Sequence, residues 1–196
     1  MRALNVNGYR SVGIDFAERT VDAIRRAMPA LNVHVGDVRA LPIEDNTLDG
    51  YISAGVIEHF WHGYHDILAE MQRALRPGGV LFLSFPYVSP LRRWKLSWQS
   101  YPTATHRSYR NIPQDFYQFA LPVNRVLRDL EGLGFTRLEL CLVDGIKGVK
   151  DEVAVTKSLL QAIYDGRRGT HLRPWLDKML KSFGAHSVLL VMKKTR

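Results

Sequence analysis

The sequence predicts an α/β fold with a doubly wound, mostly parallel sheet, and three observations carry that reading. Short apolar runs alternate with segments of helical periodicity through the first 87 residues, the pattern of strands linked by crossover helices. Two of these runs, "SVGID" and "NVHVGD", end on an aspartate; ligands of open parallel sheets bind outside the carboxyl ends of the strands. No apolar run approaches the roughly 18 residues of a membrane-spanning helix, so the apolar runs read as buried strands.

Each element follows in order. Ser11–Asp15 is a first strand. A helix from Ala17 places Val21, Ile24 and Met28 on one face, with Glu18 and Asp22 early and Arg25 and Arg26 late, as the helix dipole favours. Pro29 ends it. Asn32–Asp37 is a second strand and "LPIEDNTLDG" a polar loop, after which "LDGYISAG" gives a third strand. "YHDILAEMQRAL" is a helix with Ile67, Leu68, Met71 and Leu75 inward. "RPGG" (Arg76–Gly79) is a tight turn before the strand "VLFLSF". Ser89–Pro113 is basic, aromatic and proline-punctuated, the composition of a lid or binding segment. "PVNRVLRDLEGLG" is a helix, "FTRLELCLV" a strand, and "HSVLLVMKK" a last strand that pairs with it as a hairpin edge around a helical insertion.

With 196 residues and 46% hydrophobic composition, the chain builds one core. Residues 8–87 form a cofactor-binding half, 88–113 a cap, and 114–196 a C-terminal half with a helical insertion at 144–183. "MRALNVNGYR" has no signal-peptide core, and Cys141 is the single cysteine, so a reducing, cytoplasmic setting is expected. The net charge of +8 is uneven. Residues 1–86 carry 8 Lys+Arg against 10 Asp+Glu, a net of −2, and the remainder 19 against 9, a net of +10. No recognition motif for nucleic acid accompanies this excess.

Asp15 and Asp37 at strand ends suit a ribose diol and an adenine amine. They equally suit helix caps or turns, and the pair leaves both a nicotinamide and a methionine-derived nucleotide open. The wider string narrows this. "SVGIDFAERTV", "VHVGDVRALPIEDNTLDGYISAGVIEHF" and "ILAEMQRALRPGGVLFLSFPY" together resemble the class I S-adenosylmethionine-dependent methyltransferases, in particular the bacterial small-molecule group. The resemblance is close over residues 8–87 and weaker through "FYQFALPVNRVLRDLEGLGFTRLEL". It implies a Rossmann-like fold and S-adenosylmethionine as cofactor. It also implies Asp15 on the ribose, Phe16 on the adenine face, Asp37 and the Val38 backbone at the adenine amine, and Ser53, Ala54 and Gly55 along the cofactor. Glu58 and His59 would face the acceptor, as would Tyr87, Trp94 and His106 from the cap region.

The family places a strand and a glycine-rich loop before all of this, and here only "MRALNVN" precedes the first strand, like the tail of the connecting helix. That strand is central in the family's sheet, so its absence would leave inner edges with unpaired main-chain groups. The chain therefore reads as an N-terminally incomplete methyltransferase; a natural remnant and a domain completed by a partner are the alternatives.

A sulfonium methyl is already activated, so the protein must hold a nucleophile in line and exclude water. For a hydroxyl acceptor His59 is the candidate base, against a role in holding its loop. His59, His62 and His65 stand three apart, yet lack the cysteines and fourth ligand usual in structural zinc sites, so no metal is expected. "LRRWKLSW" reads as an amphipathic helix with Leu91, Trp94 and Trp98 on one side and Arg92, Arg93 and Lys95 supplying charge. It would pack over the active-site mouth as a lid, or touch a membrane surface through residues 91–98. The expected function is methyl transfer to a small-molecule or lipid-linked acceptor. A nicotinamide-dependent oxidoreductase and a non-catalytic remnant or partner-completed domain are the competing readings.

Overall fold

The computed structural model describes residues 1–98, 116–166 and 169–195. The chain starts with a five-residue helix, α1 (Arg2–Val6), that buries none of its residues. β1 (Val12–Asp15), α2 (Glu18–Ala27) and β2 (Asn32–Val35) follow, with β2 parallel to β1. Then come β3 (Leu48–Ala54), one 3-10 turn at Ile57–His59, α3 (His65–Ala74), β4 (Leu75–Pro86) and α4 (Pro90–Ser97). The last third holds α5 (Val123–Gly132), β5 (Phe135–Val143), α6 (Gly145–Glu152), α7 (Lys157–Tyr164), α8 (Arg173–Gly184) and β6 (Ser187–Lys194). Among the described residues no helix is long and apolar enough to cross a membrane.

Local chemistry accounts for the boundaries. Asp15 ends β1 and its Oδ1 accepts from the Ala17 amide at 2.8 Å, which starts α2. Glu18 sits in the first turn of α2 and Arg25 and Arg26 in the last, and Arg25 Nε donates to the Val33 carbonyl, tying helix to strand. Ser89 caps α4 by accepting from the Arg92 amide, with Pro90 in the first turn.

The strands form two sheets. β1 and β2 make a parallel pair, and the other four run in the order β3-β4-β6-β5. β3 and β4 are parallel, and β6 is antiparallel to both β4 and β5. β3, β4 and β5 therefore share one direction, and β5 with β6 forms the expected hairpin edge around the helical insertion. Among the described residues β1 pairs only with β2 and β3 only with β4, so each keeps one edge without a strand partner.

The main core lies on one face of the larger sheet. Leu81, Leu83 and Phe85 of β4 and Val188, Leu190 and Met192 of β6 alternate inward, against Ile67, Leu68 and Met71 of α3 and Val126 and Leu130 of α5. Each fully buried Leu or Met contributes about 1.5–3 kcal/mol of hydrophobic stabilisation. On the opposite face Ile52 and its cross-strand partner Phe82 are exposed. Ile146, Leu160 and Ile163 form a second, small cluster among α6, α7 and neighbouring Leu176 and Leu180 of α8.

Two local expectations change. Arg76–Gly79 is not a separate turn, because Leu48 already pairs with Leu75 and Gly50 with Val80, and the ladder breaks register between them. Gly78 takes the break with φ 82°, and a Cβ on Gly79 would press on the Arg76 and Leu48 carbonyl oxygens. The second strand stops at Val35, and Asp37 lies in the tight turn beyond it, bridged to Ala40.

Candidate functional site

A polar cavity of about 250 Å³ opens at the carboxyl ends of β3 and β4. The Gly55 amide donates to the Ser84 carbonyl at 3.0 Å, which holds the two strand tips together, and Gly55 turns the chain with φ 70°. The 3-10 turn then places Glu58 inward and His59 at the mouth. Residues 116–121 cross over this turn. Phe119 N donates to the Glu58 carbonyl and Leu121 N to the Pro86 carbonyl, each at 2.9 Å. Phe116 and Phe119 pack on Trp61 with ring centres 4.9 and 5.3 Å away. Tyr117, Lys147 and His186 complete the walls.

Hydrogen bonds fix the state of two imidazoles. His59 Nδ1 lies 2.7 Å from the Tyr117 carbonyl oxygen. A carbonyl only accepts, so Nδ1 carries the proton of the neutral ring and Nε2 keeps its lone pair. His186 Nδ1 lies 3.3 Å from Arg92 Nη2, a group that only donates, so in the neutral ring the proton is on Nε2. Burial, then the charges of Lys147 and Arg92, pushes His186 down to about 4 against the opposing pull of Asp151 and Asp144, which leaves it neutral at pH 7.

Glu58 is buried, and its Oε2 has no hydrogen-bond partner among the described residues. Desolvation raises its carboxyl above the usual range, outweighing its own backbone amide and His59.

Beneath the cavity, Arg92 Nε meets Glu152 Oε1 at 2.8 Å, with both side chains 5% exposed. Arg92 Nη1 donates to the Tyr87 and His186 carbonyls, and Lys95 Nζ reaches Glu152 Oε2 at 2.8 Å.

The structure treats the expected site residues unequally. Glu58, His59 and Gly55 line the cavity together, and Ser53, buried, and Ala54, exposed, lead into it on β3. Asp15 keeps Oδ2 without a partner among the described residues while Oδ1 accepts from the Ala17 amide in the turn before α2. Asp37 is bound by Arg39, whose side chain and amide hold its carboxyl below the usual range. Phe16 is exposed, and Val38 packs against the main core.

Three expectations need correction. Tyr87 is a core residue, because its side chain joins the cluster under β4 and its carbonyl is taken by Arg92. Trp94 lines a different, apolar groove of about 320 Å³ with Leu91, Trp98 and Val153–Val155. Arg92 and Lys95 do not supply surface charge to α4, since both are committed to Glu152. His106 and residues 99–113 of the cap lie outside the described residues. The histidine triplet diverges: His59 turns to Tyr117, while His65 stacks on Tyr64 and sits 3.6 Å from Asp129.

Lys147 and His186 were not foreseen. The signal was present in "GIKG", a lysine between glycines at the start of the inserted helices, and in the histidine directly before the last strand.

Comparison with known proteins puts this geometry in context. Residues 1–83 match the family model described as "Methyltransferase domain". The chain is 36% identical over 77 residues to a protein of Mycolicibacterium smegmatis named "Probable S-adenosylmethionine-dependent methyltransferase", covering 39% of this chain and 30% of that protein. It is 26% identical over 178 residues to the malonyl-[acyl-carrier protein] O-methyltransferase of Serratia marcescens, covering 83% of this chain and 68% of the relative. A solved S-adenosylmethionine-dependent methyltransferase from Archaeoglobus fulgidus superposes with a TM-score of 0.61 over 98% of this chain and 80% of its own, at 17% identity. At that identity the likeness is one of fold. The chain spans 30% and 25% of the first two curated relatives it matches.

The fold is thus the Rossmann-like one of the methyltransferases. Residues 1–83 are similar to a methyltransferase domain, and the relatives and the fold point to the class I S-adenosylmethionine-dependent methyltransferases, whose cofactor is S-adenosylmethionine. Of the two nucleotide chemistries that the strand-end aspartates left open, the matches single out this one.

Proposed function

We propose that the chain takes part in methyl transfer to the hydroxyl of a small-molecule, lipid-linked or carrier-linked acceptor, with His59 as general base. The observation that carries this is the His59–Tyr117 hydrogen bond, which leaves Nε2 basic at the mouth of a cavity at the β3 and β4 tips. S-adenosylmethionine, when bound, supplies a methyl group activated by its sulfonium charge. His59 Nε2 takes the proton that the hydroxyl loses, worth typically 10²–10⁴-fold in rate. Residues 116–121 shield the cavity from water.

The residues present fit the cofactor in part. Asp15 Oδ2 suits a ribose diol, whereas Asp37 must first be released by Arg39. Calorimetric titration of S-adenosylmethionine into the chain tests the reading. Saturable one-to-one binding, weakened by Asp15→Ala, is expected; a folded chain that does not bind overturns it for this chain alone. A second reading, in which a further strand completes the sheet between β1 and β3 before cofactor binds, is favoured by the edge each strand leaves unpaired.

A further inference from the structure

The cavity holds more hydrogen-bond donors than methyl transfer to a hydroxyl requires. Lys147, in the first turn of α6, is half-buried and has no ion-pair or hydrogen-bond partner among the described residues. Its neighbour Lys150 pairs with Asp151 at 2.7 Å, and Arg92 with Glu152. Lys147 is the one lysine or arginine among the lining residues.

Its position is built by main-chain packing. A Cβ on Gly148 would overlap Gly184 O and His186 N, and one on Gly145 would meet Asp177 O and Lys181 N, so α6 lies directly on the end of α8. Ile146 N donates to Asp177 Oδ1, and His186 N to Asp144 O, each at 3.1 Å. Lys147 and His186 therefore reach the cavity from one rigid corner, and His186 brings its Nε2–H donor. From the β3 side comes Glu58, 2% exposed, with Oε2 unpartnered. Burial raises its carboxyl above the usual range, and in its protonated form Oε2 adds a third donor.

We propose that this corner binds a carboxylate borne by the acceptor, with Lys147 Nζ and His186 Nε2–H on its oxygens and Glu58 completing the donor set. This rests on the cavity being the acceptor site. One cation matches one negative charge, whereas a phosphate dianion would bring a second charge that no other lysine or arginine of the lining meets.

The test is an amide-resolved NMR titration of the intact chain with sodium propionate, inorganic phosphate and sodium chloride at matched ionic strength. Propionate is expected to shift the Gly55, Lys147 and Ser187 amides saturably. Lys147→Ala should weaken it about tenfold, the scale of one charge-assisted hydrogen bond. Glu58→Gln, which still donates, should keep binding, and Glu58→Leu should weaken it. Unchanged propionate binding in Lys147→Ala overturns the site, as do shifts mapping elsewhere or equal shifts from chloride. Tighter phosphate than propionate binding at the same amides overturns the assignment to a monoanion. The S-adenosylmethionine titration fails or succeeds separately. Lys147-dependent propionate binding without cofactor binding leaves a carboxylate-binding corner standing and overturns the methyl-transfer reading for this chain alone, and the reverse pattern removes only the corner.

Discussion

The two sheets are held very differently. β4 pairs with β6 over seven positions, Val80 to Pro86, and both strands bury alternate side chains under α3 and α5. β1 pairs with β2 over four positions, and the buried residues of that unit are Val21 and Val33. The polar cavity stands on the first sheet, with its imidazoles held by hydrogen bonds and its lysine placed by main-chain packing. The strand-end aspartates stand on the second, where one accepts from the Ala17 amide and the other is bound to Arg39. A site built on a rigid element is preformed, while one on a lightly packed element is set by its ligand.

The widest separation between the regions should come from Glu152→Ala. It leaves Arg92 buried without its counter-charge, and removing one partner of a buried pair costs about 3–5 kcal/mol. Urea unfolding followed by tryptophan fluorescence measures it, and a loss below about 1 kcal/mol would show that the pair is not sealed from water. Next in size, Leu190→Ala, fully buried in β6, should cost about 2–5 kcal/mol. Ile14→Ala in half-buried β1 should cost about 1 kcal/mol or less. Equal losses would erase the contrast.

The pH dependence sharpens it further. His186 titrates near 6.5 when unfolded and is held down to about 4 in the fold. Between these values the unfolded chain binds more protons, so stability rises with pH through that window. The contribution, on the order of 3 kcal/mol from the size of the shift, is fully present above about 6.5 and lost as pH falls to about 4. His186→Asn should remove this slope from urea midpoints measured between pH 4 and 7, and an unchanged slope would contradict it.

Gly148→Ala tests the Lys147 corner itself. The methyl group meets the Gly184 and His186 main chain, so α6 must shift, costing about 1–3 kcal/mol and displacing the Lys147 and His186 NMR signals together. Separate, independent shifts would show that the corner is not one unit.

Much of this was legible in the sequence, for physical reasons. The continuous apolar runs in "VLFLSF" and "HSVLLVMKK" report strands of a core sheet, and the i, i+4 spacing of Ile67 and Met71 a buried helix face, because burial acts on every residue of such elements. Glu58 and His59, singled out through the family resemblance of the string that follows the third strand, do line one cavity. Trp94 and Tyr87 were misplaced because residue type does not say which side of a helix or strand a neighbour will cover. Lys147 and His186 come from residues 39 apart in sequence, joined by the packing of α6 on α8. That contact depends on two glycines whose need is visible only once the helices cross.

The central claim, that the β3–β6 sheet is preformed and the β1–β2 unit is set by its ligand, is tested most directly by native-state amide hydrogen exchange with and without S-adenosylmethionine. The account predicts strong protection of β4 and β6 in both conditions, with Val12–Asp15 and Asn32–Val35 exchanging fast alone and slowing when cofactor is added. Equal, high protection of both sheets before any ligand is present would contradict it.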